Sequence, residues 1–183
     1  MTSAHDQSQY QVRFDWGLDG ARTVAADVDA IVVVDVLSPT ENAEFPGLDA
    51  AVVAGCLRNR TAVAEWVLAR QAEKANRFTV AVIACGEARE GGSIRFAVED
   101  LLGAGAIIDA LAAVGIDYCS PEAAAASAAF TSLRNAVGHL VSASVSGTEL
   151  IERGFVSDTE LASRLDVSTV VPVLKEYVVR SSG

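Results

Sequence analysis

The feature that most constrains the fold is a run of β-branched and other apolar residues at positions 30–37. Such side chains pack well on a pleated surface, and a run with almost no polar alternation indicates a strand that is buried on both faces. Strands of this kind are typical of parallel sheets covered by helices. The run therefore predicts an α/β fold with a mostly parallel, buried sheet flanked by helices.

Further strands and helices are predicted by the same periodicities. Residues 79–85 and 50–55 are short apolar runs bounded by glycine, so each predicts another buried strand, whereas residues 10–16 alternate apolar and polar and predict an edge strand. Helical spacing predicts helices from Asn59 to about residue 73 and after the glycine pair at 91–92.

Three shorter helices are predicted by local signals. Residues 20–26 predict a short helix near the start of the chain. Ser120 followed by Pro121 combines a cap with a proline at the first helical position, and residues 157–160 match a capping box. Gly103 and Gly105 lie inside a predicted helix, so they predict close helix packing rather than a dinucleotide fingerprint.

Composition limits the class of protein and its partners. The 183 residues fit a tail at 1–9 followed by a single α/β domain at 10–183, formed as one body or as two lobes. A net charge of -10 without a basic run argues against nucleic acid and anionic membranes as partners. No apolar stretch reaches the roughly 20 residues of a membrane span. Three scattered cysteines predict a reducing, cytoplasmic location.

Acidic and basic residues gather where the predicted strands end. Asp35 lies near the end of the first run, and Glu87 follows the second. Glu99 and Asp100 lie in the helix that comes next, and Arg89 and Arg95 lie between them and Glu87, in the loop and the first helical turn. At the carboxyl ends of parallel strands, carboxylates can hold magnesium and arginines can bind phosphate. The alternative is a solvated loop with a charged helix start, and for Asp35 a capping role.

A second candidate site lies at residues 58–61, between a predicted strand and a predicted helix. Arg58, Asn59, Arg60 and Thr61 combine two guanidinium groups with a helix N-terminus, where backbone N–H groups and the helix dipole favour anions. Asn59 is also a plausible N-cap. The segment is thus either an anion-binding loop or an ordinary connection with surface arginines.

Several catalytic motifs are absent from the sequence. None of the three cysteines is followed six positions later by arginine, no Asp-x-Asp pair ends a predicted strand, and no phosphate-binding P-loop is present. With two histidines in the chain, a histidine-based metal site or a Ser-His-Asp triad is also disfavoured.

The chain resembles the 2-phosphosulfolactate phosphatase family in a series of ordered segments. The most specific of these are Cys85-Gly-Glu87 and the block from Glu99-Asp100 to Gly105, and they are accompanied by residues 16–21, 32–37, 55–64 and 146–150, by Asp166 and by residues 171–173. The resemblance implies an α/β fold, dependence on Mg²⁺, and hydrolysis of the phosphate ester of a small anionic 2-hydroxy acid.

The resemblance matches Asp35, Glu87, Glu99 and Asp100 to an acidic centre and residues 58–61 to a helix-start loop, and we infer the individual roles. Asp35 with Glu99 or Asp100 would hold the metal, and Glu87 would position the attacking water as a general base. Residues 58–61 would bind the phosphorylated substrate, together with Arg89 and Arg95.

The chain departs from the family in one place. Family members carry a much longer segment between the strand at 32–37 and the loop at residues 57–59, and here residues 38–48 lead almost directly into the next strand. An alternative is therefore a catalytically degenerate homologue that acts as an anion-binding or structural oligomeric protein. A homodimer is expected, because pairing would cover core that a missing segment leaves exposed.

Overall fold

The structure is a computed structural model that describes residues 5–38 and 47–176. The strands of the described part are β1 (Val12–Trp16), β2 (Ala30–Val34), β3 (Ala51–Gly55), β4 (Val80–Ala84), β5 (Glu87–Ala88), β6 (Ile94–Arg95) and β7 (Val173–Lys175). Its α-helices are α1 (Gly17–Val24), α2 (Arg60–Lys74), α3 (Val98–Ala113), α4 (Pro121–Leu133), α5 (Val137–Ala143), α6 (Val145–Glu152) and α7 (Val156–Ala162).

Five strands form one sheet in the order β1-β4-β2-β3-β7. The pairs β1–β4, β4–β2 and β2–β3 are parallel, and β7 joins β3 as an antiparallel edge strand. This confirms the predicted α/β fold with a mostly parallel sheet. It also brings the carboxyl ends of β2, β3 and β4 to the same edge, where both predicted clusters of polar residues begin.

Both faces of the sheet are buried, as the apolar runs predict. All five residues of β2 are buried, and so are all five of β4. Val32 and Val34 belong to the larger core cluster, which also contains residues of α2, α3 and α4, whereas Ile31 and Val33 pack with α1 on the opposite face. The absence of alternation in these runs thus follows from helices on one face and α1 with its flanking loops on the other.

The edge strand β1 carries a buried charged residue, Arg13, which its alternating sequence pattern would place in solvent. Arg13 is 1% exposed, and its guanidinium donates to the backbone carbonyls of Val24 and Tyr10 and pairs with Asp27. The predicted edge position is confirmed. The polar face of the strand, however, is covered by the turn after α1.

Two glycines allow helix α3 to lie close to its neighbours. A Cβ on Gly103 would stand 2.7 Å from a methyl carbon of Val36, and one on Gly105 would stand 2.1 Å from the Ala126 carbonyl oxygen. This confirms their predicted packing role, since Gly103 lets α3 approach the end of β2 and Gly105 lets it approach α4. The close approach places the first turn of α3 at the carboxyl edge of the sheet.

The structure corrects some element boundaries. Helix α1 begins at Gly17 rather than residue 20, and α3 begins at Val98, so Arg95 lies in the β5–β6 hairpin and not in a first helical turn. The predicted capping box at residues 157–160 is wrong, because α7 already begins at Val156 and has no side-chain cap.

The remaining boundaries concern the ends of the domain and the segment after β2. Gln7 exchanges hydrogen bonds with the Phe14 backbone, so contacts of β1 begin within the segment that was predicted as a tail. Residues 39–46, most of the predicted short loop, lie outside the described residues. No helix in residues 5–38 and 47–176 has the length and apolar character needed to cross a membrane.

Candidate functional site

Asp100 joins the carboxyl ends of the two central strands. Its Oδ1 accepts a hydrogen bond of 2.9 Å from the Val36 N–H, just after β2, and its Oδ2 accepts one of 2.9 Å from the Gly86 N–H, just after β4. Gly86 has a φ of +65°, which favours glycine there. The first turn of α3 is thereby fixed to the sheet edge, with a carboxylate at its centre.

Asp35 and Glu99 lie beside Asp100, and we call these three residues the acidic cluster. Asp35 follows β2 and accepts a hydrogen bond of 2.9 Å from the Ser38 N–H. Glu99 is 3% exposed and receives no side-chain hydrogen bond from any described residue. A carboxylate in this position can accept hydrogen bonds from water or bind a cation.

Burial and mutual repulsion raise the pKa values of Asp35 and Asp100. Burial and the Asp35 charge raise the pKa of Asp100 to about 7, against the opposing hydrogen bonds from Val36 and Gly86. Burial also raises the pKa of Asp35, and the charge of Glu99 adds to it. The same surroundings raise the pKa of Cys85 to about 12, so its thiol stays protonated at neutral pH. A bound cation would favour the ionised forms of Asp35 and Asp100.

A small cleft of about 180 Å³ opens beside the acidic cluster, and we call it the acidic cleft. All three cluster residues and Glu87 line it. Within the described ranges, no group of three His, Cys, Asp or Glu side chains is arranged so that it could hold a metal ion. Magnesium, however, usually keeps several waters and binds through one or two carboxylates and a substrate phosphate. The oxygen-only donor set therefore fits magnesium, although it forms no complete cage.

A larger cleft of about 470 Å³, the wide cleft, lies at the carboxyl ends of β2 and β3 and shares Asp35, Leu37 and Ser38 with the acidic cleft. Arg58 lines it and makes no ion pair with a described residue, and its Nε is buried without a hydrogen-bond partner. A guanidinium in this state is suited to an anion.

The C-terminal segment completes the wall of the wide cleft. The backbone of Ser168 donates to the Arg58 carbonyl at 2.9 Å, and the backbone of Ala54 donates to Pro172 at the same distance. These bonds hold the segment against the start of α2. The cleft thus combines a wall from the sheet edge with a wall from the far end of the chain.

The neighbouring residues at 59–61 have partners within the protein. Arg60 pairs with Asp166 at 2.8 Å and with Asp109 at 3.1 Å, and we call these three residues the arginine cluster. Burial acts to raise the pKa of Asp166, but hydrogen bonds from Thr61 and the Arg60 guanidinium outweigh it, so the pKa is lowered. Asn59 uses its side chain on the backbone of Cys56, Ala54 and Val170.

These contacts divide the predicted anion-binding loop. Arg60 and the Thr61 N–H are occupied by Asp166, and Asn59 occupies the N-cap position of α2 without a side-chain cap hydrogen bond. Asn59, Arg60 and Thr61 hold the start of the helix in place. Arg58 differs from them, because its guanidinium lines the wide cleft and has no ion-pair partner among the described residues. The phosphate-binding role of the other three stays a prediction without support from their contacts.

The remaining predicted residues lie around the β5–β6 hairpin. Glu87 lines the acidic cleft and pairs with Arg95 at 3.3 Å. Arg89 lies in the exposed turn of the hairpin, and neither Arg89 nor Arg95 is among the residues that line the two clefts. The structure therefore brings Asp35, Glu87, Glu99 and Asp100 together and places these two arginines to one side.

Sequence reasoning missed the contribution of α6 to the acidic cleft. Ser146 and Glu149 of α6, and Arg153 just after it, line the cleft. Ser146 and Glu149 fall in a segment that resembles the family, but no role was assigned to them, and Arg153 carries no signal in the sequence. Their spacing along a helix was visible, but the surface that this helix faces was not.

The fold and the clefts place the protein in the α/β class, with its polar cavities at the carboxyl edge of a parallel sheet. The model of the 2-phosphosulpholactate phosphatase family matches residues 40–177, and the protein belongs to that family. Family membership implies a phosphatase-like hydrolase function. The matched stretch includes Arg58, Glu99 and Asp100, while Asp35 precedes it. No curated protein matches the chain.

Proposed function

We propose that the protein is a magnesium-dependent phosphatase that hydrolyses the phosphate ester of a small anionic 2-hydroxy acid where its two clefts meet. The observation that carries this proposal is the position of the acidic cluster. Asp35 and Asp100 lie at the carboxyl edge of the sheet with raised pKa values, and Asp35 also lines the cleft that contains Arg58, which has no ion-pair partner among the described residues. Perturbed carboxylates in a cleft are typical of functional sites.

Asp35 and Glu99 are the residues that we expect to hold the metal. Asp100 already accepts a backbone hydrogen bond on each carboxylate oxygen, so its first role is to position the cluster. When bound, magnesium would neutralise part of the charge that develops on the phosphoryl oxygens. A cation there would also relieve the repulsion that raises the pKa values of Asp35 and Asp100.

Arg58 and Glu87 have complementary roles in the proposed reaction. Arg58 binds the phosphate oxygens from the wide cleft, and Glu87 accepts a proton from the attacking water. The water oxygen forms a bond to phosphorus as the ester P–O bond breaks, and the departing oxygen takes up a proton from solvent. The products are inorganic phosphate and the free 2-hydroxy acid.

A second candidate is a non-catalytic homologue that binds anions. The lack of a three-ligand metal group among the described residues favours it, because a binding protein needs the arginine but not the metal. In that case, inorganic phosphate would bind in the presence of chelator, and Arg58→Ala would abolish this binding. Isothermal calorimetry on the folded protein measures both.

The test of the phosphatase proposal is phosphate release from 2-phosphosulfolactate and 2-phospholactate, with magnesium and with chelator. We expect chelator-sensitive turnover that falls about a thousandfold in Asp35→Asn, since metal stabilisation of transition-state charge is worth several kcal/mol. Asp19→Asn is the matched control, because the Asp19 side chain is 93% exposed on α1. Turnover that survives both chelator and Asp35→Asn would contradict the proposed site, and no turnover by folded protein would favour the binding protein.

A further inference from the structure

The wall of the wide cleft that lies away from the acidic cluster is apolar. It is formed by Leu161 and Ala162 at the end of α7, by Val170 and Pro172 in the segment that leads into β7, and by Leu174 in β7 itself. Leu161 is 43% exposed and Val170 is 66% exposed. Apolar side chains that stay exposed inside a concave site gain stability when an apolar ligand group covers them.

The charges of the same cleft disfavour a further anionic group on the side arm, in addition to the phosphate and the carboxylate that all these esters carry. Among the described residues that line it, the charged ones are Asp35, Arg58 and Asp158. Two carboxylates and one guanidinium leave no cation for a sulfonate once Arg58 binds the phosphate. A sulfonate placed against the far wall would lose its water without a partner, which is costly.

The shape of the cleft sets the direction of the substrate. The phosphate would lie near Asp35, Leu37 and Ser38, which the two clefts share, and the rest of the ester would extend along the apolar wall. The volume of about 470 Å³ lies within the range of ligand pockets, far above what a methyl group fills. The cleft therefore has room and a suitable surface for a branched hydrocarbon side arm.

We infer that the substrate is the phosphate ester of a 2-hydroxy acid with an apolar side arm several carbons long, rather than one with a sulfomethyl arm. The inference rests on the proposed function and narrows its substrate class. Leu161 and Val170 are the specificity-determining residues, because they line the part of the cleft that the arm would reach.

The test uses three esters that differ only in the arm: 2-phospholactate with methyl, 2-phosphosulfolactate with sulfomethyl, and the phosphate of 2-hydroxy-4-methylpentanoate with isobutyl. We expect the KM to be lowest for the isobutyl ester, at least about tenfold below the KM for the methyl ester. A single additional methylene in an apolar pocket already changes discrimination between substrates by about tenfold or more. The sulfomethyl ester should have the highest KM. The kcat values should agree within a few-fold, because the arm lies away from the phosphorus.

A charge placed on the apolar wall should reverse this order. In Leu161→Lys, the KM for the sulfomethyl ester should fall and that for the isobutyl ester should rise. Leu68→Lys is the matched control, because Leu68 is 39% exposed on a helix and is not among the residues that line either cleft. The control should keep the order of the unmodified protein.

Three outcomes would overturn the inference. One is a lowest KM for the sulfomethyl ester in the unmodified protein, which would leave the proposed function intact. Another is a lower molecular mass of Leu161→Lys in light scattering, together with an unchanged order of the KM values for the three esters. This outcome would identify the wall as a contact between two copies of the chain. If no ester is hydrolysed, the proposed function fails, and calorimetric affinities replace KM: equal affinities for the three arms would overturn the inference as well.

Discussion

The acidic cluster and the arginine cluster show two different ways of burying charge at the same sheet edge. In the arginine cluster, Arg60 has a carboxylate on each side, and the pKa of Asp166 is lowered. In the acidic cluster, three carboxylates face one another, and the pKa of Asp100 is raised to about 7. The first arrangement is complete within the protein, whereas the second is incomplete without a proton or a cation.

The comparison separates residues that hold the fold from residues that are available to a ligand. Arg58 and Arg60 are two positions apart, yet Arg60 is paired on both sides, and the buried Nε of Arg58 has no hydrogen-bond partner among the described residues. A buried charge with its full set of partners contributes to structure, and a buried charge that lacks them is a candidate for binding. Three substitutions test this distinction, each on a different kind of charge.

The largest effect is expected from breaking the arginine cluster. Arg60→Ala should lower the free energy of unfolding by about 3 kcal/mol, because it leaves Asp109 and Asp166 without their cation and removes the partner that helps to hold the start of α2. Urea unfolding at pH 7 measures this. Arg60→Lys should recover part of the loss, since it restores the charge but not the two-sided geometry. A loss below about 0.5 kcal/mol would show that the cluster is not structural.

A smaller effect is expected at Asp100 in the acidic cluster, where removing the charge should remove a loss of stability at high pH. The ordinary pKa of Asp100 is 3.8 and its folded value is about 7, so between these pH values the folded state holds a proton that the unfolded chain has released. Stability should therefore fall as the pH rises from 5 to 7 and change little above 7. Between pH 5 and pH 8, the free energy of unfolding of the unmodified protein should fall by about 1–3 kcal/mol more than that of Asp100→Asn.

Denaturant unfolding at the two pH values, with chelator present, measures this difference. Asp19→Asn is again the control and should show the same pH dependence as the unmodified protein. Parallel curves for Asp100→Asn and the unmodified protein would show that Asp100 ionises normally. Such a result would remove the contrast between the two clusters.

The smallest effect is expected from a pair that lies on the surface. Arg22 and Asp19 are 3.1 Å apart on α1 with side chains 57% and 93% exposed. Arg22→Ala should change the free energy of unfolding by less than about 0.5 kcal/mol, because water screens such pairs. Urea unfolding beside Arg60→Ala measures the contrast directly. If Arg22→Ala lowered the free energy of unfolding as much as Arg60→Ala, burial would not determine how much an ion pair stabilises this protein.

Sequence patterns predicted β2, β3 and β4 because each of these strands is buried on both faces and therefore lacks polar alternation. The same reasoning placed Asp35, Glu87, Glu99 and Asp100 near one another, because parallel strands end at the same edge. The sequence could not predict which arginine would be free, since Asp166 is 106 residues away from Arg60. Nor could it predict α6 over the acidic cleft, because helical periodicity does not specify which surface a helix covers.

The predicted capping box at residues 157–160 failed for a related reason. Its residue types fit a helix start. The helix begins at Val156, however, so residues 157–160 already lie inside it. Tertiary contacts decide such boundaries more than local side-chain chemistry does. Site residues that depend on a boundary, such as Arg95, were therefore placed less accurately than those that follow a strand.

The backbone bonds between the start of α2 and the C-terminal segment have a consequence for the order in which the site forms. Ser168 donates to Arg58, and Ala54 donates to Pro172, so the wide cleft is closed by contacts between residues more than a hundred positions apart. Contacts of such high sequence separation are slow to form, because a long loop must close first. On the ribosome, the parallel strands β1–β4 and the acidic cluster are made before residue 166 emerges, whereas β7 follows it. A nascent chain can therefore complete the parallel part of its sheet before it can bind a ligand in the wide cleft.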